Sequence, residues 1–257
     1  MMDLGVENKV ALITGASDGL GRAAAERLAA EGAKVAICAR RREQLERTAG
    51  SIADRTGAEV LARVADVTRA AEVDEFVGDV VERFGGVDIL LNNAGTSAAA
   101  PFEAVDDALW QADFDLKLMA AVRMCRRVIP LMRERGGGAI VNITTVGGKA
   151  PEPKRLPTSV TRAAGINLTK ALAGEYAADN IRVNTICIGK VKSAQWERRV
   201  KNGDVEALYA EQGARIPLGR MGETEEFADL LAFLVSERAA YITGTAINFD
   251  GGLSFVV

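Results

Sequence analysis

The sequence contains no histidine among its 257 residues. This absence excludes Ser-His-Asp and Cys-His catalytic sites, histidine metal ligands and any imidazole general base. Acid–base chemistry must therefore use lysine, tyrosine, carboxylates, cysteine, water or a bound cofactor. We predict no metal site.

Cysteines are also few, and Cys38, Cys125 and Cys187 lie far apart. Their number is odd, and neither a C-x-x-C pair nor a zinc-binding spacing occurs. We therefore expect three reduced cysteines, each packed as a small buried apolar residue, in a cytoplasmic protein.

Long apolar runs and a strong net charge are missing as well. No run approaches the roughly 18–20 residues that a bilayer-spanning helix needs, and residues 1–8 do not resemble a secretory signal. The formal net charge is only −3, whereas binding to nucleic acid needs clustered lysine and arginine. We expect a small-molecule substrate, with neither membrane nor nucleic acid as a partner.

Short apolar runs alternate with helical patterns along the whole chain. The runs are continuously apolar, which is typical of a parallel sheet covered on both faces. This order predicts an α/β Rossmann fold: one domain over residues 1–257, with a doubly wound, seven-stranded parallel sheet and helices on both faces. A long insertion at residues 190–217 is predicted to be a substrate lid. The predicted strands are 10–13, 35–38, 59–64, 87–91, 139–143, 181–186 and 246–249, and the main predicted helices are 22–31, 43–56, 71–84, 107–135, 158–178 and 223–236.

A glycine-rich loop separates the first predicted strand from the first predicted helix. Glycines there allow a tight turn and close approach of the backbone to a pyrophosphate, and the helix N-terminus offers unpaired N–H groups. Turn glycines without a ligand are the alternative, but the position of the loop favours dinucleotide binding. The cofactor-binding residues predicted in this loop are Gly15, Ser17, Asp18, Gly19, Leu20 and Gly21.

The end of the second predicted strand carries Arg40 and Arg41 and no acidic residue. An acid at this point binds the ribose 2′-hydroxyl of NAD(H), whereas cations accommodate the 2′-phosphate of NADP(H). The two arginines, with Ser17 below them, therefore favour NADP(H) over NAD(H). A solvated basic start to the next helix is the alternative.

Polar residues follow the next two predicted strands. Asp66 and Val67 come after the third strand, and Asn93, Ala94 and Gly95 come after the fourth. The carboxyl ends of parallel strands share one edge of the sheet, so we expect these residues in a common cofactor crevice. There Asp66 would accept a hydrogen bond from the adenine amino group.

These motifs together resemble the short-chain dehydrogenase/reductase family of classical length, and β-ketoacyl-carrier-protein reductases in particular. Further matching segments are residues 140–143, 181–184, 242–244 and 250–252. The resemblance covers nearly the whole chain. It implies a Rossmann fold, a nicotinamide cofactor beside Gly189, and a homo-oligomer, either a tetramer or a dimer.

The catalytic positions of that family are occupied by unusual residues here. The family typically has Asn, Ser, Tyr and Lys, and its frame places these positions at Lys117, Thr145, Thr158 and Arg162. In the family the tyrosine donates a proton to the carbonyl oxygen, and the lysine lowers the tyrosine pKa and binds the ribose. Thr145 can still donate a hydrogen bond to substrate, and Arg162 can still bind the ribose.

Thr158 cannot replace a phenol as the acid, because its hydroxyl is too weakly acidic, so we look for the proton on another group. We hypothesise that Lys117 is the acid or electrostatic catalyst, with its pKa lowered by burial beside Arg162. A solvated helix lysine is the alternative, and Lys154 and Lys190 are rival donors.

The sequence predicts an atypical NADP(H)-dependent oxidoreductase that acts on a carbonyl or alcohol. We expect Lys117, Arg162, Lys154 and Lys190 to cluster near one cleft, and such a cluster suits an anionic or enolate-forming substrate. Two alternatives stay open: a non-redox lyase or isomerase on the same scaffold, and a catalytically silent cofactor-binding protein.

Overall fold

The structure, a computed structural model, describes residues 3–198 and 203–257, and it contains one seven-stranded sheet. The strands are β1 Val10–Thr14, β2 Lys34–Ala39, β3 Val60–Val64, β4 Ile89–Asn92, β5 Gly138–Thr145, β6 Ile181–Ile188 and β7 Ala246–Phe249. The helices are α1 Gly19–Ala30, α2 Arg42–Thr56, α3 Ala70–Phe84, α4 Asp107–Phe114, α5 Ala120–Glu134, α6 Thr158–Glu175, α7 Ala194–Glu197, α8 Val205–Gly213 and α9 Thr224–Val235. In the described part of the chain, no helix is both long enough and apolar enough to cross a membrane.

All strand pairs are parallel, and the sheet order is β3-β2-β1-β4-β5-β6-β7. The predicted doubly wound Rossmann fold is therefore confirmed. The chain reverses its direction of travel across the sheet between β1 and β4. Such a switch point leaves a crevice at the carboxyl ends of the strands, where ligands bind in open α/β sheets.

Alternate residues of the central strands belong to two different cores. On one face, Ile13 of β1 packs with helices α1, α2 and α9, and on the other face Leu12 packs with α3 and α5. Both side chains are fully buried. Burial on both faces explains why the strand segments are continuously apolar, and it holds the carboxyl ends of β1, β4 and β5 in fixed positions.

The three cysteines are free and buried, as predicted. Burial raises the pKa of Cys38 and of Cys125 to about 12. These thiols are therefore protonated at neutral pH and behave as small apolar residues.

The predicted helix 107–135 is not one regular helix. A wide turn at Asp115–Met119 joins α4 to α5, and in it the N–H of Ala120 donates to the carbonyl of Asp115, five residues back. Pro130 lies inside α5, which continues to Glu134. The wide turn carries Lys117, and such π-type turns often occur at functional sites.

Candidate active site

The glycine loop forms a backbone cradle against the segment that follows β4. A Cβ on Gly15 would lie 2.9 Å from the Cα of Ala94, and a Cβ on Gly21 would lie 2.6 Å from Nδ2 of Asn93. That Nδ2 also donates to the carbonyl of Gly15 at 3.0 Å. Gly15 and Gly19 have φ angles of +65° and +53°, in the region that favours glycine. The structure thus brings the two predicted cofactor motifs into contact.

The other loop residues hold the start of α1 in place. Asp18 caps the helix, because its carboxylate accepts a hydrogen bond from the N–H of Gly19 at 2.8 Å. Ser17 is buried, and its carbonyl accepts from the Thr48 hydroxyl at 3.0 Å. Leu20 is half-buried and packs against the core. The loop is therefore a rigid cradle.

Part of the predicted lid approaches this cradle. The guanidinium of Arg198 lies 4.0 Å from the Asp18 carboxylate, and Ser193 Cβ would be 3.6 Å from a Cβ on Gly19. Residues 199–202 of the predicted lid lie outside the described residues. Ser193 and Arg198 therefore lie close to the loop that we expect to hold a pyrophosphate.

Two arginine side chains project from the end of β2. Arg40 and Arg41 are exposed, and within residues 3–198 and 203–257 neither guanidinium forms a hydrogen bond or an ion pair. Arg40 is close enough to Asp66 to help lower its pKa. Their donors are free for an anion at this corner of the crevice.

Asp66 is held in place by its own turn. Its carboxylate accepts hydrogen bonds from the N–H and the hydroxyl of Thr68, at 3.0 and 2.8 Å. Burial alone would raise the pKa of Asp66, but the Thr68 hydrogen bonds and the charges of Arg40 and Arg69 outweigh burial and lower it. The carboxylate is therefore ionised at neutral pH, beside the buried Val67.

Lys117 is enclosed by protein on all sides. Its side chain is 0% exposed, and Nζ donates to Asp113 Oδ1 and, at 2.8 Å, to Thr158 Oγ1. Burial and the nearby charge of Arg162 lower the pKa of Lys117 to about 8, although Asp113 opposes this change. The sequence hypothesis of a buried lysine beside Arg162 thus matches the geometry, and a solvated helix lysine does not.

The hydroxyl of Thr158, a half-buried residue at the start of α6, contacts this buried group. Its oxygen accepts hydrogen bonds from Lys117 and, at 3.1 Å, from the N–H of Ala98. Two acceptor positions are thereby filled, and in the described part of the chain the Thr158 hydroxyl proton has no acceptor. A substrate oxygen can take that proton.

Arg162 lies one turn further along α6 and is buried. One guanidinium nitrogen donates to the carbonyl of Ile143, another would lie 2.5 Å from a Cβ on Gly95, and Nε is buried without a hydrogen-bond partner. Burial lowers the pKa of Arg162 to about 10, although the charge of Asp113 acts in the opposite direction. A buried donor without a partner is costly, so Arg162 suits a site that a ligand completes.

Two other predicted site residues lie at the ends of β5 and β6. Thr145 is half-buried, and within the described residues its hydroxyl forms no hydrogen bond. A Cβ on Gly189 would lie 2.7 Å from the Cβ of Asp250. The packing of β6 against β7 therefore already explains a glycine at position 189.

The rival proton donors occupy other places. Lys190 donates to Gln212 at 3.0 Å, and Lys154 is exposed. Tyr209 is buried, packs with Ile216 and Met221, and donates to Glu197 at 3.0 Å. Neither lysine has the contact with Thr158 that Lys117 has.

Sequence reasoning missed Asp113 and Thr161, which complete the network around Lys117. The Thr161 hydroxyl donates to Asp113 Oδ2 at 2.7 Å. The four-residue spacing from Asp113 to Lys117 on a predicted helix was the available signal, because such residues are neighbours on a helix surface.

Comparison with known proteins identifies reductases of similar sequence. A family model described as enoyl-(acyl carrier protein) reductase matches residues 15–254. A 3-oxoacyl-[acyl-carrier-protein] reductase of Thermotoga maritima is 34% identical over 248 residues, which cover 96% of this chain and 98% of that protein.

Solved structures resemble the whole molecule. L-sorbose reductase from Gluconobacter frateurii, complexed with NADPH and L-sorbose, has a TM-score of 0.95 and 38% identity, and the match covers 100% of both chains. An NADPH-bound short chain oxidoreductase from Pseudomonas aeruginosa PAO1, described as containing an atypical catalytic center, has a TM-score of 0.92 and 36% identity over 98% of this chain and 99% of that one. The protein therefore belongs to the short-chain dehydrogenase/reductase family of NAD(P)-dependent oxidoreductases.

Proposed function

We propose that the protein interconverts a carbonyl compound and its alcohol with NADP(H), and that it does so without the tyrosine and lysine typical of its family. Lys117, Thr145, Thr158 and Arg162 are the proposed catalytic residues. One observation carries the proposal: the buried Lys117 donates to the Thr158 hydroxyl at 2.8 Å, while the proton of that hydroxyl is free. This pair can deliver a proton to the crevice.

The residues present fit a dinucleotide. The cradle at Gly15 and Gly21 has no room for side chains, and Arg162 keeps one buried donor without a partner. We assign the pyrophosphate to the loop, the 2′-phosphate to Arg40 with Arg41, and the ribose to Arg162.

The remaining predicted contacts fall along the same edge of the sheet. The assignment gives the adenine to Asp66 and Val67, and it leaves Asn93, Ala94, Gly95 and Gly189 to line the crevice. The NADPH present in the sorbose reductase and Pseudomonas structures supports NADP(H) over NAD(H). When bound, NADPH supplies a hydride for the carbonyl carbon.

The proton moves through two groups in the reduction. As the carbonyl oxygen gains negative charge, the Thr158 hydroxyl gives its proton to that oxygen and takes one from Nζ of Lys117. The new O–H bond belongs to the product alcohol, Thr158 is regenerated, and Lys117 is left neutral. Because Thr158 gives and receives a proton together, its weak acidity as an isolated hydroxyl is no obstacle.

Thr145 and Arg162 assist this transfer. Thr145 donates a second hydrogen bond to the substrate oxygen, and the guanidinium charge of Arg162 stabilises that oxygen as negative charge develops. The charges of Lys117 and Arg162, which lie close together, favour an anionic or enolate-forming substrate, under a proposed lid at residues 190–217. We further propose a homo-oligomer, tetramer or dimer, in the cytoplasm.

The first test is a titration with NADPH and, separately, NADH, followed by nicotinamide fluorescence, and then turnover on a panel of ketoses and 3-oxo compounds. We expect tighter binding of NADPH and measurable reduction. Lys117→Met is expected to lower kcat about 100-fold or more, because it removes the proton source. Lys170→Met, an exposed lysine on α6, is the matched control.

Other outcomes contradict the proposal in distinct ways. Weak binding of both dinucleotides excludes the redox function. Tight NADPH binding without turnover on any substrate favours the silent cofactor-binding protein. Unchanged kcat in Lys117→Met leaves the reaction class standing and removes Lys117 from it.

A further inference from the structure

Asp113 is a buried carboxylate in direct contact with Lys117. Its side chain is 2% exposed, and it lies one turn before Lys117, in α4. Oδ1 accepts from Lys117, and Oδ2 accepts from the Thr161 hydroxyl at 2.7 Å. The carboxylate therefore accepts hydrogen bonds from two different elements, helix α6 and the wide turn that follows α4. These two bonds fix its orientation.

Asp113 is also the only negative group that faces Lys117 among the described residues. Arg162 of α6 faces it with a positive charge. A cavity of about 10 Å³ adjoins Lys117, and the residues that line it from α5 and β5, including Met124, Asn142 and Thr144, carry no charge. Without Asp113, burial and Arg162 would together favour neutral Lys117.

We propose that Asp113 is a positioning residue that keeps Lys117 protonated and aimed at Thr158 at neutral pH. The inference rests on the proposed function, because it assigns the source of the proton in the same site. Thr161 completes the arrangement, since its hydroxyl fixes the second carboxylate oxygen. Both carboxylate oxygens accept hydrogen bonds from protein donors, so Asp113 acts through Lys117.

The pH dependence of reduction follows from the charge of Lys117. The reaction needs the protonated amine, and the pKa of Lys117 is about 8. The rate of reduction is therefore expected to fall as the pH rises through about 8. In Asp113→Asn the loss of the opposing charge moves this fall to lower pH by about one unit or more.

Turnover at pH 7 is then expected to drop in Asp113→Asn and to recover partly at pH 6. Thr161→Val retains the negative charge of Asp113 and removes the hydroxyl that orients it. It should therefore lower kcat, with little change in the pH at which the rate of reduction falls. Asp107→Asn, an exposed aspartate of the same helix, is the matched control for the charge change. An unchanged pH profile in Asp113→Asn would overturn the inference.

A second measurement does not depend on turnover. The unfolded chain binds a proton at Lys117 with a pKa near 10.5, and the folded chain does so near 8. Between these pH values the unfolded state holds more protons, so the contribution of Lys117 to stability rises with pH across this window. The free energy of unfolding in urea, measured for the wild type and for Lys117→Met across this pH range, gives this contribution as the difference between the two proteins.

The same difference in the free energy of unfolding, measured between Asp113→Asn and the Asp113→Asn, Lys117→Met double variant, should begin to rise at a lower pH. If it begins at the same pH in both backgrounds, Asp113 does not control the proton on Lys117 and the inference is wrong. If this shift is seen while no carbonyl substrate is turned over, Asp113 controls Lys117 and the proposed reaction is wrong. The two failures are therefore distinguishable.

Discussion

At the scale of single residues, burial changes what two cations can do. An exposed lysine with a pKa near 10.5 is a poor proton donor at neutral pH, whereas the buried Lys117 has a pKa of about 8. A donor with a pKa near the working pH combines correct protonation with a favourable driving force for transfer. Arg162 stays protonated even with a lowered pKa of about 10, so its proposed role is to stabilise charge and not to transfer a proton.

Arg40, in contrast to Lys117, is exposed, and exposure suits its proposed role of binding a ligand phosphate. Arg40→Ala is expected to weaken NADPH binding about 10–100-fold, because a charge-assisted hydrogen bond contributes about 1.5–3 kcal/mol. NADH binding should change little, since it has no 2′-phosphate. Fluorescence titration with both dinucleotides measures this, and Arg47→Ala in α2, exposed and 4.0 Å from Glu43, is the control. Equal losses for both dinucleotides would remove the phosphate assignment.

At the scale of elements, the glycine loop joins β1 to α1 through a conformation that side chains disfavour. Gly15 combines a φ of +65° with a 2.9 Å approach to Ala94. Gly78 in the middle of α3 has neither constraint, because it is exposed and no atom lies within 4 Å of its added Cβ. The same substitution should therefore have opposite effects at these two positions.

Gly15→Ala is expected to lower the free energy of unfolding by at least about 1–2 kcal/mol, through the left-handed backbone and the contact with Ala94. It should weaken cofactor binding as well. Gly78→Ala should raise stability by about 0.5–1 kcal/mol, because alanine is the better helix former. Urea unfolding of both variants tests the pair, and a neutral Gly15→Ala would show that the loop can rearrange.

Elements were predictable to different degrees. β1 was predicted at residues 10–13 and runs over Val10–Thr14, because burial on both faces leaves a continuous apolar pattern. The wide turn at Asp115–Met119 was not predictable, since its residues fit a regular helix equally well. The role of Asp113 depends on contacts from α6 that local sequence does not encode.

At the scale of the whole molecule, two cores hold the strand ends that carry the site. Phe227 of α9 is fully buried and lies edge-on to Phe249 of β7, with ring centroids 6.2 Å apart. Phe233 of the same helix is 37% exposed. The core that includes Phe227 also includes Ile13, Leu91 and Ile143, next to the crevice.

Phe227→Ala is expected to lower the free energy of unfolding by about 3–5 kcal/mol, because it leaves a cavity in that core. Phe233→Ala should change it by less than about 1 kcal/mol. Denaturant unfolding of the two variants compares them directly. Similar losses at both positions would indicate that α9 is covered on both sides, as in an oligomer.

The hydrogen bond from Ala98 to Thr158 has a consequence for selectivity. Ala98 lies two residues before Ala100, which pairs with Leu156 through two backbone hydrogen bonds, so one wall of the crevice holds the hydroxyl in place. A badly shaped substrate that displaced this wall would also disturb the proposed proton transfer through Thr158. Such a molecule would still bind, but it would react slowly. Substrates of different shape would then differ in kcat more than in KM, because the shape of the substrate would affect proton transfer more than binding.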